Sequence, residues 1–230
     1  MSVSAIPTST AVAMPTEEKP LQFRTKIAIN EIPDHNQTPV SLDLTYANMM
    51  MNTKAISEIL YPFFGDEKTE LRELVCKFNS KFDDDMLLEV FRRSPNLILL
   101  DLEGCDSVSD AGISSLPGRI TELDISGCPE LTAFISRFPQ LVSLKANRTH
   151  LSDKQIIEFA KHHPHLVDIE LEGCPNITNK SLKTLAKLPK LKKISIVDSE
   201  NTHPKTLSIA AKRGKFILYG NRRSVKTLTA

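Results

Sequence analysis

The chain has 230 residues, enough for one large domain or two small ones. With 29 Lys+Arg against 28 Asp+Glu, 40% hydrophobic and 25% charged residues, it has the balance of a soluble globular chain. No apolar run approaches the roughly 20 residues that span a bilayer. The first twenty residues lack the basic start and unbroken apolar core of a secretory signal, and the four cysteines form no CxxC pair, which argues against a zinc ribbon or a disulfide scaffold. The expected location is therefore intracellular, in the cytoplasm.

Residues 1–20 are rich in Pro, Ser and Thr and read as a disordered tail. Residues 21–38 contain Arg24–Ile32, in which Ile27 and Ile29 alternate with polar neighbours. This is the period of a strand or hairpin, and it is expected to form the N-terminal cap of the domain beginning at residue 39.

From residue 39 the chain repeats itself. LRELVCKFN from Leu71, LILLDLEGC from Leu97, ITELDISGC from Ile120 and LVDIELEGC from Leu166 align without gaps, with apolar residues at positions 1, 4 and 6. Position 9 is Asn in the first and Cys in the others. LVSLKANRT from Leu141 and LKKISIVDS from Leu191 fit with Thr149 and Ser199 at position 9, and PVSLDLTYA from Pro39 keeps Leu42 and Leu44. The starts are spaced by 32, 26, 23, 21, 25 and 25 residues. Side chains alternate along a strand, so positions 4 and 6 share one face of a short extended segment. The chain then turns, and a small hydrogen-bonding side chain at position 9 suits the buried turning backbone. Each repeat goes on to a helical stretch. SDKQIIEFAKHHP from Ser152 has an N-cap serine and an apolar stripe of Ile156, Ile157, Phe159 and Ala160. DDDMLLEVFRRSP from Asp83 opens with acids, ends with bases and carries Met86, Leu87, Val90 and Phe91 inside. NKSLKTLAKLP from Asn179 repeats the theme, while SDAGISSLP from Ser109 and LTAFISRFP from Leu131 are shorter. Pro95, Pro117, Pro139, Pro164 and Pro189 stand where these stretches end. The repeat domain is expected to span 39–220, closing with a helix over 204–214 and a last strand in KFILYG from Lys215, ahead of a flexible basic tail at 221–230.

The strings LDLEGCDSVSDAGISSL, LDISGCPELT and IELEGCPNITNKSL resemble the cysteine-containing leucine-rich repeat subfamily, known from the repeat halves of F-box proteins and from related proteins without an F-box. The resemblance covers about residues 39–200. It implies an α/β fold, a leucine-rich repeat solenoid or horseshoe with a parallel concave sheet and convex helices. An F-box over Ala55–Lys77 is disfavoured: there is no leading Leu-Pro, the chain has no Trp, and Leu71–Asn79 is already a repeat.

Candidate chemistry is thin. Cys76, Cys105, Cys128 and Cys174 fall on repeat positions and read as small buried side chains. His162, His163 and His165 sit at a helix end, where capping or exposure explains them. Asp83, Asp84 and Asp85 suit a helix N-terminus. No nucleophile elbow, phosphate loop or zinc-protease motif is present, and Asn36, Asn147 and Asn176 stand in N-x-T sequons without a secretory signal. No cofactor, catalytic residue or metal ligand is expected.

The functional lead is the concave face. Positions 3, 5 and 7 leave the core, and they place Asp101, Glu103, Glu122, Asp124, Asp168, Glu170 and Glu172 in a patch interrupted by Lys145. A second patch is basic: residues 180–230 carry 13 Lys/Arg against two acids, among them Lys190, Lys192, Lys193, Lys212, Arg213 and Lys215. The leading expectation is a non-enzymatic scaffold that binds another protein, through a basic segment of that partner, on the concave face. Two alternatives stay open: a substrate adaptor of an SCF-type ubiquitin ligase, and binding of an acidic polymer, nucleic acid or anionic membrane through the basic C-terminal segment.

Overall fold

The computed structural model describes residues 41–45, 71–116, 118–131, 138–197 and 201, and the backbone of 217–219. The expected tail at 1–20, cap at 21–38, residues 55–70 of the disfavoured F-box stretch 55–77, closing helix at 204–214 and tail at 221–230 lie outside these residues, as do 132–137 in the short segment after Leu131.

Each repeat contributes one three-residue strand: β1 Ser41–Asp43, β2 Glu73–Val75, β3 Leu99–Asp101, β4 Glu122–Asp124, β5 Ser143–Lys145, β6 Asp168–Glu170, β7 Lys193–Ser195 and β8 Ile217–Tyr219. Among the described residues they pair in chain order in one eight-stranded parallel sheet. The register never slips: Leu42, Leu74, Leu100, Leu123, Leu144, Ile169, Ile194 and Leu218 stand side by side. A slip of one residue would turn every apolar side chain out of the core, so the 4,6 spacing itself fixes the pairing. The fold is a leucine-rich repeat solenoid.

Four helices among the described residues form the opposite wall: α1 Asp84–Arg93, α2 Asp110–Ser114, α3 Asp153–His162 and α4 Asn179–Leu185. Their starts follow from local capping. The Asp83 carboxylate accepts from the Met86 amide, Ser109 Oγ from Ala111 and Thr178 Oγ1 from Lys180. At α3 the Gln155 side chain reaches back to the amide and hydroxyl of Ser152. Met86, Leu87, Val90 and Phe91 of α1 are buried, as are Ile156, Phe159 and Ala160 of α3. Ile157, expected in that stripe, is only half-buried. It lies about 100° round the helix from Ile156, at the border of the apolar face.

Between sheet and helices runs one continuous apolar core. Positions 1, 4 and 6 of the central repeats, such as Leu97, Leu100 and Leu102 or Leu166, Ile169 and Leu171, are fully buried. Position 9 lies under the turn. Cys105 Sγ donates to the Cys76 carbonyl at 3.0 Å, Cys128 Sγ to Leu102 at 3.0 Å and Cys174 Sγ to Ala146 at 3.2 Å, each to position 6 of the preceding repeat. The thiols are therefore rungs that satisfy carbonyls left over by the turn. Position 8 takes a left-handed conformation in five successive repeats, at Phe78, Gly104, Gly127, Arg148 and Gly173, with φ between 52° and 69°. That conformation reverses the chain out of the strand, and glycine adopts it at least cost.

Candidate functional site

The parallel register turns sequence rows into physical rows. Glu73, Leu99, Glu122, Ser143, Asp168 and Lys193 stand in one line across the sheet, and Val75, Asp101, Asp124, Lys145, Glu170 and Ser195 in the next. A third line, Lys77, Glu103, Ser126, Asn147, Glu172 and Val197, is held because the ladder continues past the strands: Phe78 N donates to Glu103 O, Gly104 N to Ser126 O, Gly127 N to Asn147 O, Arg148 N to Glu172 O and Gly173 N to Val197 O. Neighbouring side chains within a line are about 4.8 Å apart from strand to strand.

The face is a mixed-charge lattice, which differs from an acidic wall broken only by Lys145. Lys77 Nζ lies 2.9 Å from Asp101 Oδ2 and 3.2 Å from Glu103 Oε2. Arg148 Nη2 reaches Glu103 Oε1 at 2.9 Å from two repeats away. Lys145 Nζ stands 3.8 Å from Asp124 Oδ2. Lys193, which sequence places both at concave position 3 of its repeat and in a basic patch with Lys190 and Lys192, crosses the concave face to Asp168 at 3.6 Å and Glu170 at 2.5 Å. Lys190 and Lys192 are exposed outside the three concave lines, with Lys190 Nζ 3.0 Å from His165 Nδ1. Lys212, Arg213 and Lys215 lie outside the described residues.

Burial divides the carboxylates. Asp124 is buried and accepts from the Ser126 amide at 2.9 Å; burial pushes its pKa up against that hydrogen bond. Burial likewise raises Asp168, with Lys193 pulling the other way. At Glu170, burial also acts upward, but hydrogen bonds from Lys193 and Asn147 outweigh it, and its pKa ends below the usual value. Lys77 shows the complement: burial alone would lower it, but Asp101 and Glu103 hold the ammonium more firmly charged than an ordinary lysine. Glu172 accepts from Ser195 Oγ, and Asn147 Oδ1 accepts from the Glu172 amide at 2.8 Å. Among the carboxylates of the three concave lines, Glu122 is the one that stands exposed.

Carboxylate oxygens of Asp101, Glu103 and Asp124 come within 4.8 Å of one another, a spacing a cation can bridge. Lys77 and Lys145 already supply positive charge to these three groups, so the cluster is a neutralised network. The cysteines offer no nucleophile: burial pushes the Cys105 and Cys128 thiols up to about 12. His162 meets Glu158 on an exposed helix face, and His163 is buried with Nδ1 2.7 Å from the Phe159 carbonyl. The acids at Asp83–Asp85 do the work of a helix start, and more. Asp84 also accepts from the amide and hydroxyl of Ser109 in the next repeat.

Sequence reasoning placed Lys77 on the face but missed Arg148 as a member of it. Lys77 is legible as position 7 of the repeat at Leu71. Arg148 is not, because position 8 reads as a turn residue and only the fold brings it across to Glu103.

Comparison with known proteins agrees with this architecture. The leucine rich repeat family matches residues 93–116. "Antagonist of mitotic exit network protein 1" of Eremothecium gossypii is 28% identical over 150 residues, covering 57% of this chain and 36% of that protein. Its namesake in Saccharomyces cerevisiae is 24% identical over 155 residues, covering 59% and 27%. The chain thus spans about a third of the length of these relatives. Among solved structures, a chain in the crystal structure of the Rad7 and Elc1 complex in yeast superposes with a TM-score of 0.58 at 20% identity, covering 68% of this chain and 42% of that one. That likeness is one of fold. No helix among the described residues is long and apolar enough to cross a membrane. Repeat match, superposition and register converge on one conclusion: this chain is built of leucine-rich repeats.

Proposed function

We propose that residues 39–220 form a non-enzymatic interaction domain of the cysteine-containing leucine-rich repeat type, and that its concave face receives a basic segment of another protein. The observation that carries this reading is the charge excess of the face. Across the three concave lines from β2 to β7, eight carboxylates (Glu73, Asp101, Glu103, Glu122, Asp124, Asp168, Glu170 and Glu172) face three lysines. A concave wall with one sign in excess focuses its field and steers an oppositely charged partner. The buried, raised-pKa thiols and the lysine-paired carboxylates support a binding role over a catalytic one. The names of the relatives support a partner among proteins that govern mitotic exit.

The test is affinity capture by the whole chain from its native cells, quantified for the same captured protein with three baits. Glu122→Lys, at an exposed position, should cut capture at least tenfold, while Lys145→Glu should leave it unchanged or raise it. Capture that is equal for wild type and both variants overturns the reading.

A further inference from the structure

The backbone ladder also holds a line of side chains one residue ahead of the strands. Ile98 N donates to Arg72 O at 2.9 Å, and Thr121 N to Ile98 O, Val142 N to Thr121 O, Val167 N to Val142 O and Lys192 N to Val167 O at 2.8 Å each. Position 2 of the repeats therefore forms its own row, along the edge where the chain enters the sheet and beside the three concave lines. The four central members, Ile98, Thr121, Val142 and Val167, are all β-branched, and each has a described neighbour on both sides. Ile98 and Val142 are exposed, and Thr121 and Val167 are half-buried. A lone exposed aliphatic residue is ordinary. A row of them, repeated at about 4.8 Å from strand to strand, is a surface fit for contact.

Charge defines the occupant. The chain reaches this row through residues 96–98, 119–121, 140–142, 165–167 and 190–192, which contain Arg119, His165, Lys190 and Lys192 and no Asp or Glu. Arg119, Lys190 and Lys192 are exposed. The concave lysines Lys77, Lys145 and Lys193 each pair with carboxylates. Lys190 Nζ instead meets His165 Nδ1, at 3.0 Å, and a lysine that donates to a neutral ring keeps its charge uncompensated. Positive charge around an apolar row calls for an acidic partner. Spacing sets the partner's shape. A helix brings one face round every 5.4 Å, close to the strand spacing of about 4.8 Å, whereas an extended segment repeats a face only every ~6.7 Å. We propose that this rim binds an acidic amphipathic helix of another protein. Its apolar residues, spaced three or four apart, rest on Ile98, Thr121, Val142 and Val167, and its Asp and Glu residues meet Arg119, Lys190 and Lys192. The site is separate from the concave face, whose proposed partner carries the opposite charge.

The experiment is selection of a displayed random 16-residue peptide library on the full chain, followed by fluorescence-anisotropy affinities and circular dichroism of the peptides recovered. The expected class carries several Asp or Glu, has apolar residues at helical spacing and gains helicity on binding. Val142→Asp should weaken it at least tenfold, and Arg119→Glu and Lys190→Glu at least fivefold each. Val142→Thr, which keeps the branched shape and should melt like wild type, should weaken it at least threefold and guards against a folding defect in Val142→Asp. Glu122 stands one residue from Thr121 on the concave side, so Glu122→Lys should leave these peptides bound equally or more tightly, the opposite of its effect on a basic segment. Recovery of no acidic class overturns the rim site, as does binding within twofold of wild type in both Val142 variants or in both charge variants. Basic peptides that still fail on Glu122→Lys would then leave the concave-face reading standing. A 20-nucleotide single-stranded RNA serves as the second probe. RNA bound more tightly than the peptides, lost in Arg119→Glu and Lys190→Glu but kept in Val142→Asp, overturns the helix in favour of a nucleic acid.

Discussion

A single residue in a solenoid acts through its rung. Leu171 is fully buried at position 6, and its amide donates to Ser195 O in the next repeat at 2.7 Å. Truncation leaves a cavity flanked by a hydrogen-bonded backbone that cannot collapse to fill it, so Leu171→Ala is expected to cost about 2–5 kcal/mol in urea unfolding. A cost below about 1 kcal/mol would show that Leu171 is not a core rung. His163 acts through its proton. Its ring is buried and stacked on Phe159 with centroids 4.0 Å apart. Burial pushes its pKa down, against backbone hydrogen bonding to Phe159 and Phe138 and with help from neighbouring His162. The folded chain therefore holds His163 neutral while the unfolded chain protonates it near 6.5. The unfolded state binds more protons, so this contribution is complete above about pH 6.5 and is lost as the pH falls from there through the lower folded-state value. The difference in unfolding free energy between wild type and His163→Phe should shift against wild type between about pH 7 and 5. A difference independent of pH would contradict the assignment.

Helix starts are coupled from repeat to repeat. Asp84 in α1 holds the amide of Ser109, the N-cap of α2, at 2.8 Å and its hydroxyl at 2.6 Å. Asp153 in α3 accepts from the amides and hydroxyls of both Thr178 and Ser181 at the start of α4. Burial would raise Asp153, but these four hydrogen bonds outweigh it and hold the carboxylate below its usual range. The device fixes neighbouring helices in step, because the carboxylate that favours its own helix N-terminus also caps the next one. It also reverses an ordinary expectation. Gly→Ala inside a helix commonly stabilises by about 0.5–1 kcal/mol. At Gly112 an added methyl would stand within van der Waals overlap of the Asp84 carboxylate, which Ser109 holds in place. Gly112→Ala is therefore expected to lower the melting temperature, whereas in Asp84→Ala the same change should be neutral or stabilising. A higher melting temperature for Gly112→Ala in the native background would rule out the clamp.

For the molecule as a whole, each repeat touches chiefly its two neighbours, so stability is a sum of repeat and interface contributions. Among the described residues, β1 and β8 have a strand on one side only, while β2–β7 are paired on both. Backbone amide exchange should accordingly be slowest in β3–β6 and faster toward β1 and β8, as native-state exchange with mass spectrometry would read it. Uniform protection along the chain would mean that the end strands carry as much stability as the centre. The same one-dimensional order arranges the charges: lysines interleave with carboxylates on the concave face, and the surplus stays negative. Partner capture through that face should weaken as salt rises, since exposed charges are screened within about 8–10 Å.

Much of the architecture is legible in the amino-acid sequence. The 4,6 apolar spacing determined the strands, their common facing and the parallel order, because only stacking the same rung on its neighbours buries it. Capping residues such as Asp83 and Ser152 marked helix starts, since a side chain that bonds a nearby amide acts locally. Which carboxylates stay available was decided by tertiary structure. Lys77 and Lys193 neutralise acids from repeats 23 to 26 residues away, Arg148 reaches back 45 residues to Glu103, and Asp124 sinks beneath its neighbours. Periodicity reports what each coil must hide; the long-range contacts between coils set what the surface is left to offer.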